Sequence, residues 1–338
     1  MPLPNDNRHI GRLVGRRCRA AFRALTSIHA SVAAATPCQT QRSFLRIVVT
    51  STVATFLLCN IGLAQTTPSP TATGSTNAAP RQPMRGYRAG ADNPSPRADN
   101  NSPRAHEQMV EKAKQGGIDV YFVGDSITRR WGTKDPQYHE MLENWTTNFF
   151  GWNAGDFGWG ADATQNILWR LENGELDGVN PKIIVILAGI NNVGMNPGGE
   201  EKVADITRGL QAIVKVAQEK APVAVIILTG IFPRNDNLAV IPEINQINEN
   251  LAKMSDGKKI RYLNVNDKLA DADGKLFPGM SRDRLHPTVK GYQIWADALK
   301  PIFTEILGPP AKTDHAPPPS GDPSLNDSLN TAPANKAN

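Results

Sequence analysis

The stretch Ile118-Asp-Val-Tyr-Phe-Val-Gly-Asp-Ser-Ile-Thr128 decides the predicted fold. Its apolar run, Val120–Val123, has the length and composition of a strand buried in a parallel sheet. The run breaks at Gly124, after which the chain can turn into a helix with Asp125 or Ser126 as its N-cap. Ser126 therefore stands at the carboxyl end of a strand, where open α/β sheets bind their ligands. On this stretch alone, a serine that only caps a helix and a serine that reacts are equally supported.

Strand-like and helix-like segments alternate through the middle of the chain. The further strand-like runs are Ile183–Leu187, Val223–Leu228 and Ile260–Val265, with Phe149–Ala154 as a weaker fifth candidate. The helix-like segments are His106–Lys114, Thr164–Glu172, Lys202–Lys220, Ile241–Met254 and Val289–Leu307. In Lys202–Lys220 the apolar residues recur three and four positions apart, as in a helix that packs on a sheet. This alternation predicts an α/β domain with about five parallel strands and helices on both faces.

Composition divides the chain of 338 residues into four predicted segments. Residues 105–307 carry the apolar patterns described above and are long enough for one domain. Residues 65–104 form a linker and residues 308–338 a tail, both rich in proline and small polar residues without an apolar period, which is typical of disorder. Residues 1–64 form an N-terminal leader.

The leader has the features of a secretory signal peptide. An Arg-rich region precedes the apolar run 47–64, which ends in small residues at the −3 and −1 positions of a cleavage site after Ala64. We therefore expect a secreted or periplasmic protein with no stable membrane anchor after cleavage. The alternative is a single membrane anchor, although the run is barely long enough to span and contains several polar residues. A lipoprotein site at Cys59 is poorly supported, because Leu58 stands where a small residue is needed.

Charge and cysteine content exclude several classes of protein. The net charge of +5 comes from the leader, whose eight arginines outweigh Asp6, so that no nucleic-acid partner is expected. All three cysteines precede residue 65, which leaves the predicted domain without disulfides or thiolate metal ligands. The domain also lacks a zinc-type histidine pair, a phosphate loop and a dinucleotide fingerprint, so we expect neither a metal nor a cofactor. A Gly-x-Ser-x-Gly elbow is missing as well, which argues against an ordinary α/β-hydrolase.

Two later segments contain candidate partners for Ser126. Asp283 precedes His286 by three residues, so on a tight loop its carboxylate can reach Nδ1 and leave Nε2 to accept a proton from a serine. Asn191 follows the strand Ile183–Leu187, where its side-chain amide can donate to a developing oxyanion. The plainer interpretations are a loop in which Asp and His only cap a helix, and an Asx turn.

The four blocks Gly-Asp-Ser, the Gly-rich turn Asp156–Asp162, Gly-x-Asn-Asn and Asp-x-x-His occur here in the order typical of the SGNH (GDSL-like) hydrolases. The chain resembles that family over nearly all of 105–307. It is most similar to the branch of platelet-activating-factor acetylhydrolase catalytic subunits. The stretches that carry this closer similarity are Phe122–Ser126, Ile167–Leu176, Asn191-Asn192 and Pro233-Arg234. The resemblance implies a three-layer, flavodoxin-like fold.

The same resemblance implies roles for individual residues. Ser126 would be the nucleophile and His286 the general base, with Asp283 orienting the imidazole. The oxyanion donors would be the amides of Ser126 and Ala161 and the side chain of Asn191. The residues expected to bind substrate are Asp125, Trp159 and Asn192.

Ala161 departs from the family pattern, which usually has glycine at this position. The backbone N–H survives the change. The added methyl can narrow the acyl pocket, or disturb the site if the amide requires a positive φ.

These observations predict a secreted serine esterase that removes short acyl groups, acetyl foremost, from small-molecule or carbohydrate esters. Trp131, Trp152 and Trp159 flank the predicted blocks and are either faces for sugar rings or core residues. The second candidate is a lysophospholipase or arylesterase of the same fold. A candidate of a different class is a non-catalytic ligand-binding module, which only Ala161 favours. The oligomeric state stays open.

Overall fold

The computed structural model describes residues 90–325. The predicted leader, residues 65–89 of the predicted linker and residues 326–338 of the predicted tail lie outside this range. Within it, the strands are β1 (Val120–Gly124), β2 (Ala154–Gly158), β3 (Ile183–Leu187), β4 (Val225–Thr229) and β5 (Ile260–Leu263). All strand pairs are parallel, and the order is β2-β1-β3-β4-β5. This order is that of a flavodoxin-like sheet, so the predicted fold class is confirmed.

Helices cover both faces of the sheet. They are α1 (Ser102–Gln115), α2 (Ser126–Gly132), α3 (His139–Phe149), α4 (Thr164–Arg170), α5 (Ile190–Val193), α6 (Gly199–Lys220), α7 (Ile241–Lys253), α8 (Asn266–Leu269) and α9 (Val289–Leu307). On β1, Phe122 packs against Trp145 of α3 and Trp295 of α9, with ring centroids 4.7 and 6.2 Å away. Its neighbour Tyr121 points to the opposite face, as alternation along a strand requires, and donates to the carbonyl of Glu175.

The predicted weak strand Phe149–Ala154 is wrong. Phe149 ends α3, a helix that the sequence analysis missed, and the strand begins only at Ala154. The strand sequence Ala-Gly-Asp-Phe-Gly has low β propensity. Its buried Asp156 is satisfied by the amides of Gly132 and Gly158, at 2.9 and 2.7 Å, and this contact between β2 and α2 is not visible in a local pattern.

Hydrogen bonds to the domain extend past the predicted boundaries at 105 and 307. At the start, the buried carboxylate of Asp205 accepts hydrogen bonds from the amides of Gly90 and Ala91. At the end, the Gly308 carbonyl accepts from the Trp152 indole at 3.0 Å, and the Asp322 amide donates to Asp135 at 2.6 Å. These segments are held by polar contacts to buried groups, which leave no apolar period in the sequence.

The ends of β1, β2 and β3 lie level at one edge of the sheet. Gly124 pairs with Gly158 on one side and with Leu187 on the other. A side chain at Gly124 would overlap the carbonyl of Leu187 and the hydroxyl of Thr128, so glycine is required there. The three loops that follow these strands therefore meet at the β1/β3 switch point, where flavodoxin-like sheets bind ligands.

No helix in residues 90–325 is both long enough and apolar enough to cross a lipid bilayer.

Candidate active site

Ser126 is the first residue of α2, directly after β1. Asp125 is the N-cap of this helix, and its carboxylate accepts a hydrogen bond from the Ile127 amide at 2.9 Å. The cap fixes the turn that brings the serine to the edge of the sheet. There, Ser126 Oγ lies 2.8 Å from Nε2 of His286.

The loop before α9 holds His286 against Asp283. Nδ1 of the imidazole lies 2.7 Å from Oδ2 of Asp283. The other carboxylate oxygen accepts from the amides of His286 and Leu285, at 2.8 and 3.0 Å. The Asp-x-x-His spacing thus closes a tight turn in which the carboxylate binds both the ring and the backbone. This arrangement favours the tautomer with the proton on Nδ1 and leaves Nε2 to accept from the serine.

Burial, hydrogen bonds and charged neighbours shift the pKa values of Asp283 and His286. Partial burial raises the pKa of Asp283, but hydrogen bonds from the His286 amide and ring outweigh it and hold this pKa well below the usual range. Burial lowers the pKa of His286, and the Arg130 guanidinium lowers it further, against the opposing effect of Asp283. His286 is therefore neutral, and able to act as a base, at pH values where an ordinary histidine is already charged.

Arg130 belongs to this site although no sequence signal separated it from its neighbour Arg129. It lies on α2, and its Nη1 atom is 3.1 Å from Oδ2 of Asp283. Its guanidinium also lies over the Tyr138 ring, 5.2 Å from the centroid. Arg130 therefore links the helix of Ser126 to the loop of His286.

The loop after β2 and the short helix α5 carry the other predicted oxyanion donors. The Asn191 side-chain amide donates to the Asp162 carbonyl at 2.8 Å, which leaves its second N–H for another acceptor. Ala161 lies one residue before Asp162, is exposed and has a φ of +62°. The predicted oxyanion donors Ala161 and Asn191 thus belong to a loop and a short helix that are joined by a hydrogen bond.

The residues predicted to bind substrate are engaged within the fold. Asp125 is buried and caps α2. The Asn192 side chain accepts from the Thr164 amide at 2.9 Å and donates to Gln165 at 3.0 Å. The Trp159 indole donates to Ser102 Oγ at 2.8 Å.

The sequence left open whether Trp131, Trp152 and Trp159 offer faces to sugar rings or belong to the core. All three are buried and pack in the hydrophobic core. Trp159 in addition lines a cavity beside α1 and α4.

A buried charge network supports the loop after β2. Arg170 binds Asp162 at 2.7 Å through Nε, pairs with Glu175 through Nη1 and donates to the Phe157 carbonyl at 3.1 Å. Burial raises the pKa of Asp162 to about 6 even though Arg170 opposes the shift. Burial also raises the pKa of Asp125 to about 7, with a smaller contribution from the charge of Asp162. The stretch Ile167–Leu176, which carries the closer family resemblance, therefore supplies the cation that fixes this loop.

Residues 90–325 contain no group of three or more His, Cys, Asp or Glu side chains that could hold a metal ion. What the site does contain is a hydroxyl, an imidazole and a carboxylate joined in series. Such a series can move a proton from the hydroxyl to the imidazole while the oxygen attacks an electrophile.

The sheet and the groups at its edge are those expected of an ester hydrolase with an α/β fold. Residues 122–294 match the model of the GDSL-like lipase/acylhydrolase family. The chain belongs to this family, which confirms the resemblance found in the sequence, and it is an ester hydrolase.

Two curated relatives are similar over most of their own length. Platelet-activating factor acetylhydrolase IB subunit alpha1 of Homo sapiens is 31% identical over 204 residues, which are 60% of this chain and 82% of the relative. Subunit alpha2 of Rattus norvegicus is 32% identical over 204 residues, with the same coverage. A solved structure from Bacteroides fragilis, described as an acylhydrolase, has a TM-score of 0.50 at 19% identity and covers 62% of this chain and 99% of its own. At that identity the similarity concerns the fold alone.

Proposed function

We propose that the protein is a serine esterase that hydrolyses short-chain acyl esters, acetyl esters foremost, through Ser126, His286 and Asp283. The observation that carries the proposal is the 2.8 Å contact between Ser126 Oγ and His286 Nε2, with Asp283 on the other ring nitrogen at 2.7 Å. A helix cap would need only the serine or the aspartate. The continuous series from carboxylate to hydroxyl favours catalysis over a non-catalytic binding module.

In the proposed reaction, Ser126 Oγ attacks the ester carbonyl carbon while His286 takes the hydroxyl proton. The carbonyl oxygen becomes an oxyanion, which accepts from the amides of Ser126 and Ala161 and from the Asn191 side chain. The C–O bond of the ester then breaks, and the alcohol leaves with the proton from His286. Water attacks the acyl-enzyme in the same way, releases the acid and restores Ser126.

The preference for acetyl groups rests on two observations. The similar curated proteins are named acetylhydrolases, and Ala161 adds a methyl beside the proposed oxyanion site, where the family usually has glycine. A carbohydrate ester is the leading substrate class for an exported enzyme of this kind. Lysophospholipid or aryl esters are the second candidate, and a substrate panel separates them.

The decisive experiment combines labelling with activity. A serine-reactive phosphonate should modify Ser126 in the wild-type protein and leave Ser126→Ala unmodified. We expect hydrolysis of acetylated xylan and p-nitrophenyl acetate in preference to p-nitrophenyl octanoate and lysophosphatidylcholine. Ser126→Ala and His286→Ala should each remove nearly all turnover without changing the melting temperature, and their effects should not add. Wild-type turnover in Ser126→Ala would contradict the mechanism.

Export is a separate part of the proposal and rests on the leader sequence. Sequencing the N-terminus of the protein made by its native host should give Gln65 as the first residue. A mature chain that still contains residues 47–64 would instead support a membrane anchor.

A further inference from the structure

A cavity lies between the first turns of α1, the loop after β2 and α4. Its volume is about 220 Å³, and its walls include Pro96, Arg97, Pro103, His106, Asp162 and Trp169. Both helices begin at the carboxyl edge of the sheet, so the cavity opens on the same side of the molecule as Ser126. The proposed catalytic residues do not line it.

Aromatic and proline groups form much of the wall. The Trp169 ring is partly exposed and lies against the His106 ring, with centroids 4.8 Å apart. His106 is held in place because its Nδ1 lies 2.8 Å from the carboxylate of Glu175. Pro96 and Pro103 come from the N-terminal segment that the sequence predicted to be a disordered linker. The tertiary structure therefore creates an ordered, partly apolar wall that no single element contains.

One polar atom in this wall accepts no hydrogen bond within the described part of the chain. Asp162 Oδ1 is buried and accepts no hydrogen bond, whereas Oδ2 is held by Arg170 at 2.7 Å. Arg97 forms an ion pair with this oxygen, but its Nη1 is 3.6 Å from Oδ1, beyond hydrogen-bond distance. That guanidinium is already engaged with the Gly160 carbonyl at 3.0 Å and with Asp99 at 2.7 Å. A buried acceptor without a donor is costly, so a ligand that supplies an O–H would be stabilised here.

We propose that this cavity binds a neutral sugar ring. A dry cavity of about 150 Å³ holds a benzene molecule, so the space suffices for one six-membered ring with hydroxyl substituents. The tryptophan face suits the apolar face of a sugar, and a hydroxyl at its edge can donate to Asp162 Oδ1. A purely aromatic ligand would leave that oxygen unsatisfied. An anionic ligand would meet the carboxylates of Asp162 and Glu107, which both line the cavity. The two arginines of the wall, Arg97 and Arg170, are already paired with carboxylates.

The position of the cavity links it to the proposed esterase site. Asp162 lines the cavity, and its carbonyl accepts from Asn191 at 2.8 Å. Ala161 is the adjacent residue, and consecutive Cα atoms are about 3.8 Å apart. An oligosaccharide can therefore present its ester to Ser126 while a neighbouring sugar unit occupies the cavity. This connection rests on the proposed function, whereas sugar binding itself does not.

Binding is tested first without an ester. Unesterified xylotriose is titrated calorimetrically into the wild-type protein, Trp169→Ala, Trp169→Phe and Phe150→Ala. Phe150 is the matched control, because its exposed aromatic ring lies near the start of β2, at the opposite edge of the sheet. We expect Trp169→Ala to weaken binding by about tenfold, and Trp169→Phe and Phe150→Ala to stay within about twofold of wild type.

A measurement on the wild-type protein tests the same site even if the alanine variant does not fold. On addition of xylotriose, the indole N–H resonance of Trp169 should shift, while that of Trp152, which is bonded to Gly308, should not. Equal xylotriose affinity in wild type and Trp169→Ala, or an unmoved Trp169 resonance at saturation, would overturn the sugar site.

The link to catalysis is tested by a ratio of rates. The ratio of kcat/KM for acetylated xylotriose to kcat/KM for p-nitrophenyl acetate should fall by about tenfold in Trp169→Ala, through KM of the sugar ester. If the wild type binds xylotriose at Trp169 but hydrolyses no acetylated sugar, the sugar site is supported and the proposal of a carbohydrate ester substrate is contradicted. If the wild type and Trp169→Ala both hydrolyse acetylated sugars with the same kcat/KM ratio, the proposed esterase activity is supported and a role of the cavity in catalysis is excluded.

Discussion

At the scale of single residues, alanine at position 161 affects both the backbone conformation and the proposed choice of acyl group. Its φ of +62° is in the region that favours glycine. The left-handed conformation costs an alanine about 1–2 kcal/mol, but glycine loses about 0.4–1 kcal/mol more through the entropy of the unfolded chain. The difference between the two terms is about 0–1.6 kcal/mol, so we expect Ala161→Gly to raise the free energy of unfolding by less than about 2 kcal/mol in urea denaturation.

The side chain of Ala161 should have a larger effect on substrate choice. Because the residue is exposed beside the proposed oxyanion site, its methyl competes with the acyl chain for space. We expect acetyl esters to be favoured over butyryl esters by about 1–3 kcal/mol in transition-state binding, and Ala161→Gly to relax this preference. Comparing kcat/KM for acetate, butyrate and octanoate esters in both forms checks it. An equal gain at all three lengths would show that backbone strain, and not acyl size, is what alanine imposes.

The charge of Arg130 should determine the pH below which kcat/KM falls. The pKa of His286 is lowered by burial and by the Arg130 cation, with a smaller effect of Arg234, and is raised by Asp283. The base must be neutral, so the acid limb of the kcat/KM profile should lie below pH 6.5, the ordinary value for histidine.

Removing the Arg130 charge should therefore raise the pKa of His286 and move the acid limb upward in Arg130→Gln. Arg282→Gln is the matched control, since Arg282 lies in the same region but pairs with Glu140 and is largely exposed. An acid limb that stays in place in Arg130→Gln, or that moves equally in both variants, would contradict this role.

At the scale of elements, α4 is held by the charge of Arg170. This arginine is buried and bridges two carboxylates, those of Asp162 and Glu175. Breaking a buried ion pair from one side costs about 3–5 kcal/mol, because uncompensated charge stays inside. Arg170→Met should therefore lower the free energy of unfolding by about that amount, measured by urea denaturation. Lys215→Met, at an exposed position of α6, should change it by less than about 0.5 kcal/mol. A similar loss in both variants would show that the network does not stabilise the fold.

At the scale of the whole molecule, the segment after α9 packs along the outside of the domain. The amide of Ala311 donates to the Gly151 carbonyl at 2.9 Å, and Asp314 accepts from the Gly151 amide at 2.7 Å. Further along, the Ser320 carbonyl accepts from the Lys134 amide at 3.0 Å. These hydrogen bonds join residues 311–320 to the loops before β2 and after α2.

A chain that ends at residue 310 loses all of these contacts. With about 1 kcal/mol for each of the three lost hydrogen bonds, and about 2–4 °C for each kcal/mol in a domain of this size, its melting temperature should fall by about 6–12 °C. Asp314→Ala should account for part of the loss and the neighbouring Lys312→Ala for none of it. A melting temperature equal to that of the full chain would restore the domain boundary at 307.

Most of the fold could be predicted because its signals are local. Buried parallel strands such as Ile183–Leu187 are continuous apolar runs, and α9 has the predicted bounds of Val289–Leu307. The strand β2 could not be predicted, since glycine and a buried aspartate replace the apolar run. The packed ends could not be predicted either, because their contacts are backbone and polar.

The amino-acid sequence by itself determined the α/β class and the order of the four blocks that mark the family. It also determined which serine, histidine and aspartate were candidates, since turns at strand ends and a three-residue spacing are properties of neighbouring residues. Only the tertiary structure decided which groups meet across the chain. It brought Arg130 to Asp283, buried the three chosen tryptophans, and placed Trp169 at a cavity built from three separate segments. Distances between residues far apart in the chain depend on packing and loop paths, and a local pattern contains neither.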